Sequence, residues 1–291
     1  MKRQSGLRGV WAAVLTPIDA QMLPDSRKGV EYYNDLLGRG IDGLNVLGTN
    51  GEAASFGTHE RLRYMEAVAG GVPTDRAIAG TGTTSLADAV RLTQAAFDCG
   101  YLGALVMPPF FYRPVNDDGV VGFFDALLSR LGTPDPQLIL YNFPSASGVT
   151  FHAALVERLV AEFPGAIAGM KDSSNDRALQ QAILAKHPDF AILPSSEEYL
   201  AGARADGTSG CISGSVALWP ELAQRVWQTG AGAEHLAELR RSVAGPELLL
   251  RVRYLTSRAR NDESWERPMP PLVSLSAAEK RNLDAVLTPR V

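Results

Sequence analysis

Lysine is scarce in this chain, and one of its five copies stands in an unusual place. Lys2, Lys28, Lys186 and Lys280 lie in the N-terminal segment or in polar helical stretches, where a lysine serves as a solvated charge. Lys171 instead closes the apolar run Ala166-Ile167-Ala168-Gly169-Met170 and precedes Asp172-Ser173-Ser174. An ammonium at the end of a buried strand is costly unless paired. Desolvation favours the neutral amine, the form that attacks carbonyl carbon. Spacing alone leaves two readings: a structural ion pair with Asp172 or Glu52, or a nucleophile that forms a Schiff base. Tyr141 ends a second apolar run, and its phenol could relay the protons that imine chemistry moves. The alternative is a core tyrosine with a satisfied hydroxyl. In Gly48-Thr49-Asn50-Gly51-Glu52, glycines bracket a hydroxyl and an amide where a strand turns into a helix. Backbone N–H groups freed by glycine, beside the Thr49 hydroxyl, make a cradle for a carboxylate. The plainer reading is a tight turn.

The elements that must position these residues are visible as a beat. Short runs rich in Val, Ile and Leu recur at 9–15, 43–47, 77–80, 103–107, 137–141, 166–170, 190–193 and 210–212. Each ends in a turn residue and leads into an amphipathic stretch. In 86–99, for example, Leu86, Ala89, Val90, Thr93, Ala96 and Phe97 share one helical face. Strands alternating with helices imply parallel pairing with right-handed crossovers, and continuous apolar runs suit strands buried on both faces. Eight such units, with no G-x-G-x-x-G after a strand, predict a closed (β/α)8 TIM barrel rather than an open nucleotide-binding sheet. The strand signal stops after Trp219, and 220–229, 233–243, 246–259 and 276–286 read as helices. The expected organisation is a barrel over 1–228 with a C-terminal helical extension, 229–291, packed on it. In a barrel of this kind the site forms at the C-terminal ends of the strands. That is where Thr49, Tyr141 and Lys171 all fall.

Composition narrows the function classes. The chain is 45% hydrophobic and 21% charged with a net charge of −4, which gives no electrostatic footing for nucleic acid or an anionic membrane. No apolar run is long enough for a membrane span, and the basic start lacks the long apolar region and cleavage site of a signal peptide. A cytoplasmic protein is expected. Cys99 and Cys211 show no C-x-x-C pattern and read as reduced thiols. The four histidines, His59, His152, His187 and His235, are scattered, so no metal site is expected. Ser145 and Ser147 lack a G-x-S-x-G setting.

Taken together, three motifs resemble the dihydrodipicolinate synthase / N-acetylneuraminate lyase family of class I Schiff-base aldolases. They are Gly48-Thr49-Asn50-Gly51-Glu52, Tyr141-Asn142-Phe143-Pro144 through Gly148, and Gly169-Met170-Lys171-Asp172-Ser173-Ser174. Their order, the eight-strand beat and the helical tail fit that family over essentially the whole chain. The resemblance implies that Lys171 forms an imine with pyruvate or another 2-oxo acid, that Tyr141 handles protons, and that Thr49 and the Asn50 backbone hold the carboxylate. It also implies that the backbone around Ile212 closes the pocket beside Gly48, that no cofactor is required, and that the protein is a homotetramer or homodimer.

The departures bear on substrate. Synthase members carry an arginine after the tyrosine that grips a second carboxylate, where this chain has Ala146. They also borrow a relay tyrosine across the dimer interface, where this chain has Phe111. Asn50, in place of a second threonine, resembles 4-hydroxy-2-oxoglutarate aldolases, and the Tyr141–Gly148 segment resembles members that cleave 2-oxo-3-deoxy sugar acids. Glu197 and Glu198 stand where sialic acid lyases hold sugar hydroxyls, or else form a solvated helix start. Arg113, two residues beyond Phe111, offers a substitute guanidinium. The expected activity is cleavage of a 4-hydroxy-2-oxo acid to pyruvate and an aldehyde. Condensation, as in dihydrodipicolinate synthase, or sugar-acid dehydration through the same imine is the alternative.

Overall fold

Each of the eight apolar runs forms a strand: β1 Gly9–Ala13, β2 Gly43–Val46, β3 Ala77–Gly80, β4 Gly103–Val106, β5 Leu138–Asn142, β6 Ile167–Asp172, β7 Ala191–Pro194 and β8 Gly210–Ser213. The computed structural model describes residues 6–287; Lys2 and the rest of the basic start lie outside that range. Nearly every strand residue is buried, as strands covered on both faces require. All neighbours pair in parallel, in the order β7-β6-β5-β4-β3-β2-β1-β8. The Ser209 N–H donates to the Ile192 carbonyl at 2.8 Å, joining β7 to the entry of β8 where the barrel closes.

The helices are α1 Ser26–Gly38, α2 Thr58–Ala69, α3 Leu86–Asp98, α4 Asp117–Leu128, α5 Pro144–Ser147, α6 Ala153–Glu162, α7 Arg177–Lys186, α8 Ala203–Asp206, α9 Pro220–Thr229, α10 Ala233–Val243, α11 Leu248–Arg260 and α12 Ala277–Leu287. Short polar residues start several of them. Asp25, Ser85, Asn116 and Asp176 each accept from the backbone N–H three residues on, satisfying a donor that the first turn would otherwise leave free. Their apolar stripes pack on the outside of the barrel. The interior is a separate cluster that includes Trp11, Ile78, Leu105, Ile139, Leu193 and Ile212. Trp11 lies so close over Gly43 that a Cβ there would stand 2.5 Å from its ring.

Side chains of the helical tail pack on the barrel. Leu236, Val252 and Trp265 join the same core as the β1 and β2 side chains, while Val243, Tyr254, Leu255, Leu275 and Leu283 form a smaller cluster of their own. Among the described residues no helix is long and apolar enough to cross a membrane. Both cysteines are free; Cys211 is buried in β8, and Cys99 is half-buried at the end of α3.

The strands that matter most for the site run further than their apolar patterns. β5 reaches Asn142 and β6 reaches Asp172, so Lys171 lies within its strand instead of just beyond it. These polar residues remain in the sheet because they satisfy one another. Asp172 Oδ1 accepts from Asn142 Nδ2 at 2.8 Å and from Ser174 Oγ at 2.8 Å, and Oδ2 accepts from Gln180 Nε2 at 2.7 Å.

Candidate active site

Lys171 enters the barrel from β6 and is 3% exposed. Tyr141 on β5 and Leu193 on β7 are its register partners, so all three share the inward face. The Lys171 Nζ lies 4.4 Å from the centroid of the Tyr141 ring, and the Tyr141 and Thr49 hydroxyls are 3.0 Å apart. Tyr141 is 5% exposed, whereas Thr49 is open to solvent. A chain of hydroxyls thus runs from beside the buried amine to the barrel mouth.

The ion-pair reading of Lys171 does not hold. Asp172 is committed to Asn142, Ser174 and Gln180, and Glu52 pairs with Arg253. The other described lysines each have a carboxylate: Lys28 with Asp262, Lys186 with Glu157 and Lys280 with Glu266. Lys171 alone among the described lysines is buried in apolar surroundings with an amide, Asn45 Oδ1 at 3.5 Å, as its hydrogen-bond partner.

The loop after β2 is a tight turn, with the Glu52 N–H donating to the Thr49 carbonyl at 3.0 Å. Leu47 and Glu52 flank it in left-handed backbone, both at φ 51°, a conformation that costs a non-glycine residue about 1–3 kcal/mol and persists only where its surroundings impose it. The surroundings here are specific. Glu52 Oε1 accepts from Arg253 Nε at 2.6 Å and Oε2 from the Met269 N–H at 2.7 Å. Arg253 also donates to the carbonyls of Thr16 at 2.9 Å and Trp265 at 3.1 Å. Burial pulls the Arg253 guanidinium below its ordinary pKa, and Glu52 opposes that shift. α11 therefore anchors the loop that presents Thr49. Replacing Arg253 by methionine strands a buried carboxylate, which should cost about 3–5 kcal/mol of stability. The effect should appear as a lower urea midpoint, with Arg253→Lys partly restored; an unfolding free energy within about 0.5 kcal/mol of wild type would show that the loop is held otherwise.

The Asn50 side chain donates to the Ala13 carbonyl at 3.3 Å and lies against Gly214, where a Cβ would stand 1.6 Å from Nδ2. It thereby ties the ends of β1, β2 and β8 around the mouth. Ile212 is fully buried in the interior cluster on β8.

Glu197 is not a solvated helix start. It is 1% exposed, with Oε2 accepting from Ser213 Oγ and Oε1 from Ser215 Oγ, each at 2.6 Å, and the Arg240 guanidinium 3.5 Å away. The two serines lie 16 and 18 residues from Glu197 in sequence and Arg240 comes from α10, so local polarity alone left its setting open. Glu198 does stand outside, paired with Arg241.

Two other expected residues are exposed. Ala146 is exposed on α5, and Phe111 is 72% exposed beside Tyr112 in the loop after β4. The guanidinium that reaches this neighbourhood is that of Arg113. It packs over Gly148, whose φ is 68° and where a Cβ would stand 2.2 Å from Arg113 Cδ.

Known proteins share both the fold and the sequence. The profile of the dihydrodipicolinate synthetase family matches residues 6–247. A 4-hydroxy-tetrahydrodipicolinate synthase of Synechococcus sp. is 31% identical, covering 94% of this chain and 92% of the relative. An N-acetylneuraminate lyase of Salmonella paratyphi B is 33% identical, covering 71% of this chain and 68% of the relative. The crystal structure of dihydrodipicolinate synthase from Agrobacterium tumefaciens superimposes with a TM-score of 0.90 at 29% identity, covering 96% of this chain and 98% of that one. With the match running across the barrel and into the first helices of the tail, the chain belongs to the dihydrodipicolinate synthetase family.

Proposed function

We propose that this protein is a class I lyase in which Lys171 forms a Schiff base with a 2-oxo acid, cleaving a 4-hydroxy-2-oxo acid to pyruvate and an aldehyde. The observation that carries the reading is the buried amine of Lys171 with no carboxylate partner, set against Tyr141 and through it Thr49. The amine adds to C2 of the substrate, and loss of water leaves an iminium. Tyr141 then takes the proton of the C4 hydroxyl, the C3–C4 bonding pair moves into an enamine, and the aldehyde departs. Protonation at C3 and hydrolysis release pyruvate and the free amine. Thr49 and the Asn50 backbone hold the 2-oxo acid's carboxylate, while Gly48 and Ile212 close the pocket around it. The imine nitrogen supplies the electron sink, so the reading requires no cofactor. A dimer or tetramer belongs to the same reading, supported by Phe111 and Tyr112, which stand 72% and 81% exposed with their rings edge to face.

Condensation through the same imine is the second reading, favoured by the synthase relative that covers 94% of the chain. Ala146 and Phe111 weigh against it. A second carboxylate without a bidentate guanidinium forgoes charge-assisted hydrogen bonds worth about 1.5–3 kcal/mol, or roughly 10–150-fold in specificity. Condensation of pyruvate with aspartate semialdehyde should therefore run about 10–150-fold below that of an enzyme carrying the guanidinium, and below cleavage of a 4-hydroxy-2-oxo acid by this protein in kcat/KM. If condensation is the faster reaction, the synthase reading replaces this one.

A further inference from the structure

Strand β2 carries a buried amide that the steps above leave idle. Asn45 is fully buried and interrupts the run Gly43-Leu44-Asn45-Val46-Leu47. Its register partners, Ala13 and Ile78, belong to the interior cluster, so its side chain faces the barrel axis as Lys171 does. Nδ2 donates to the Val46 carbonyl at 3.5 Å and Oδ1 accepts from Lys171 Nζ at 3.5 Å. Both contacts are long for hydrogen bonds. Burying an amide on such contacts is unfavourable, so its retention needs a reason beyond packing. The two partners set its orientation, with the nitrogen against a carbonyl and the oxygen against an amine. Gly48 leaves it room, since a Cβ there would stand 2.6 Å from Oδ1.

Besides Asn45, the Lys171 amine has the Tyr141 ring at 4.4 Å, and Leu193 is its register partner on β7; the barrel interior these residues face is the apolar cluster that includes Ala13, Ile78, Leu105, Leu193 and Ile212. The carboxylates near this end of the barrel, Glu52, Asp172 and Glu197, are all engaged elsewhere. A carboxylate at position 45 would hold the amine as ammonium and withhold its lone pair. An apolar residue would leave its N–H without an acceptor. A neutral carbonyl does neither.

Resting on the Schiff-base reading, we propose that Asn45 is a positioning residue for the Lys171 amine. In imine formation the nitrogen lone pair forms the N–C2 bond while the carbonyl π pair moves to oxygen. One amine proton then passes to that oxygen, and the hydroxyl leaves as water with a proton from Tyr141. One N–H stays on the nitrogen throughout. Asn45 Oδ1 accepts it, and the contact shortens as positive charge develops.

The test measures borohydride trapping with pyruvate as a function of pH in folded variants, with folding checked by circular dichroism. Asn45→Leu should trap about 10- to 100-fold more slowly, the loss expected for a hydrogen bond to a developing charge. Asn45→Ser, which keeps an acceptor, should recover part of that rate. Asn45→Asp is close to isosteric and should move the acidic limb of the profile up by at least about one pH unit; it carries the test if the leucine variant does not fold. A wild-type trapping rate in Asn45→Leu, or an Asn45→Asp profile that superimposes on wild type, overturns the proposal. Absence of any adduct in the wild-type protein would instead overturn the Schiff-base reading beneath it.

Discussion

Lys171→Arg should abolish turnover altogether. The substitution puts a fixed positive charge on β6 and removes the nucleophile, because a guanidinium is not deprotonated in a protein and cannot form the imine. Lys171→Ala should be equally inactive while keeping the fold, since it removes a buried polar amine that has no carboxylate partner. The combination separates this account from a structural role. Loss of a buried ion pair would lower both stability and rate, whereas loss of the nucleophile lowers rate alone. Steady-state assays on a 4-hydroxy-2-oxo acid, paired with thermal melts, read both quantities. Residual turnover above about one part in ten thousand of wild type, the upper end of what general acid–base groups supply, would assign the chemistry to another group.

Tyr141→Phe should retain the fold and lose about 10²–10⁴-fold in kcat. The ring stays, and with it the contact with Phe143, whose centroid is 5.8 Å away, and the packing beside Lys171 Nζ. The hydroxyl, and its 3.0 Å bond to Thr49, is what disappears. In the proposed mechanism adduct formation and C–C cleavage both pass protons through that oxygen, so single-turnover trapping and steady-state cleavage should slow together. A full rate in Tyr141→Phe would hand the relay to water or to Thr49 acting alone.

Much of this arrangement was legible from residue types. The eight strands stand where short apolar runs end in turn residues, because a strand buried on both faces must be apolar throughout and must be closed by something that can turn. Lys171 and Tyr141 were visible because each ends such a run, and register pairing then makes them neighbours. The alternatives that the sequence left open share one cause, which is that burial depends on partners distant in sequence. Glu197 reads as solvated until Ser213, Ser215 and Arg240 close over it. Glu52 reads as a candidate partner for Lys171, yet Arg253 claims it from two hundred residues downstream. Asn45 had a local signal, a lone amide in an apolar strand. What the amide does could not be read until the barrel brought β2 and β6 to face each other. The exposed Phe111 and Ala146 teach a different lesson: a departure from a family pattern identifies a position without showing what now stands near it, and here Arg113 packs against the neighbouring Gly148.

The central claim is that Lys171, and no other lysine, bonds covalently to the carbonyl carbon of a 2-oxo acid. Incubation with pyruvate and borohydride, followed by peptide mapping, tests it most directly. A single reduced pyruvyl adduct on the peptide bearing Lys171, absent from Lys171→Arg, is the predicted result. An adduct on Lys28, Lys186 or Lys280, or no adduct under conditions where the protein turns over substrate, would contradict it.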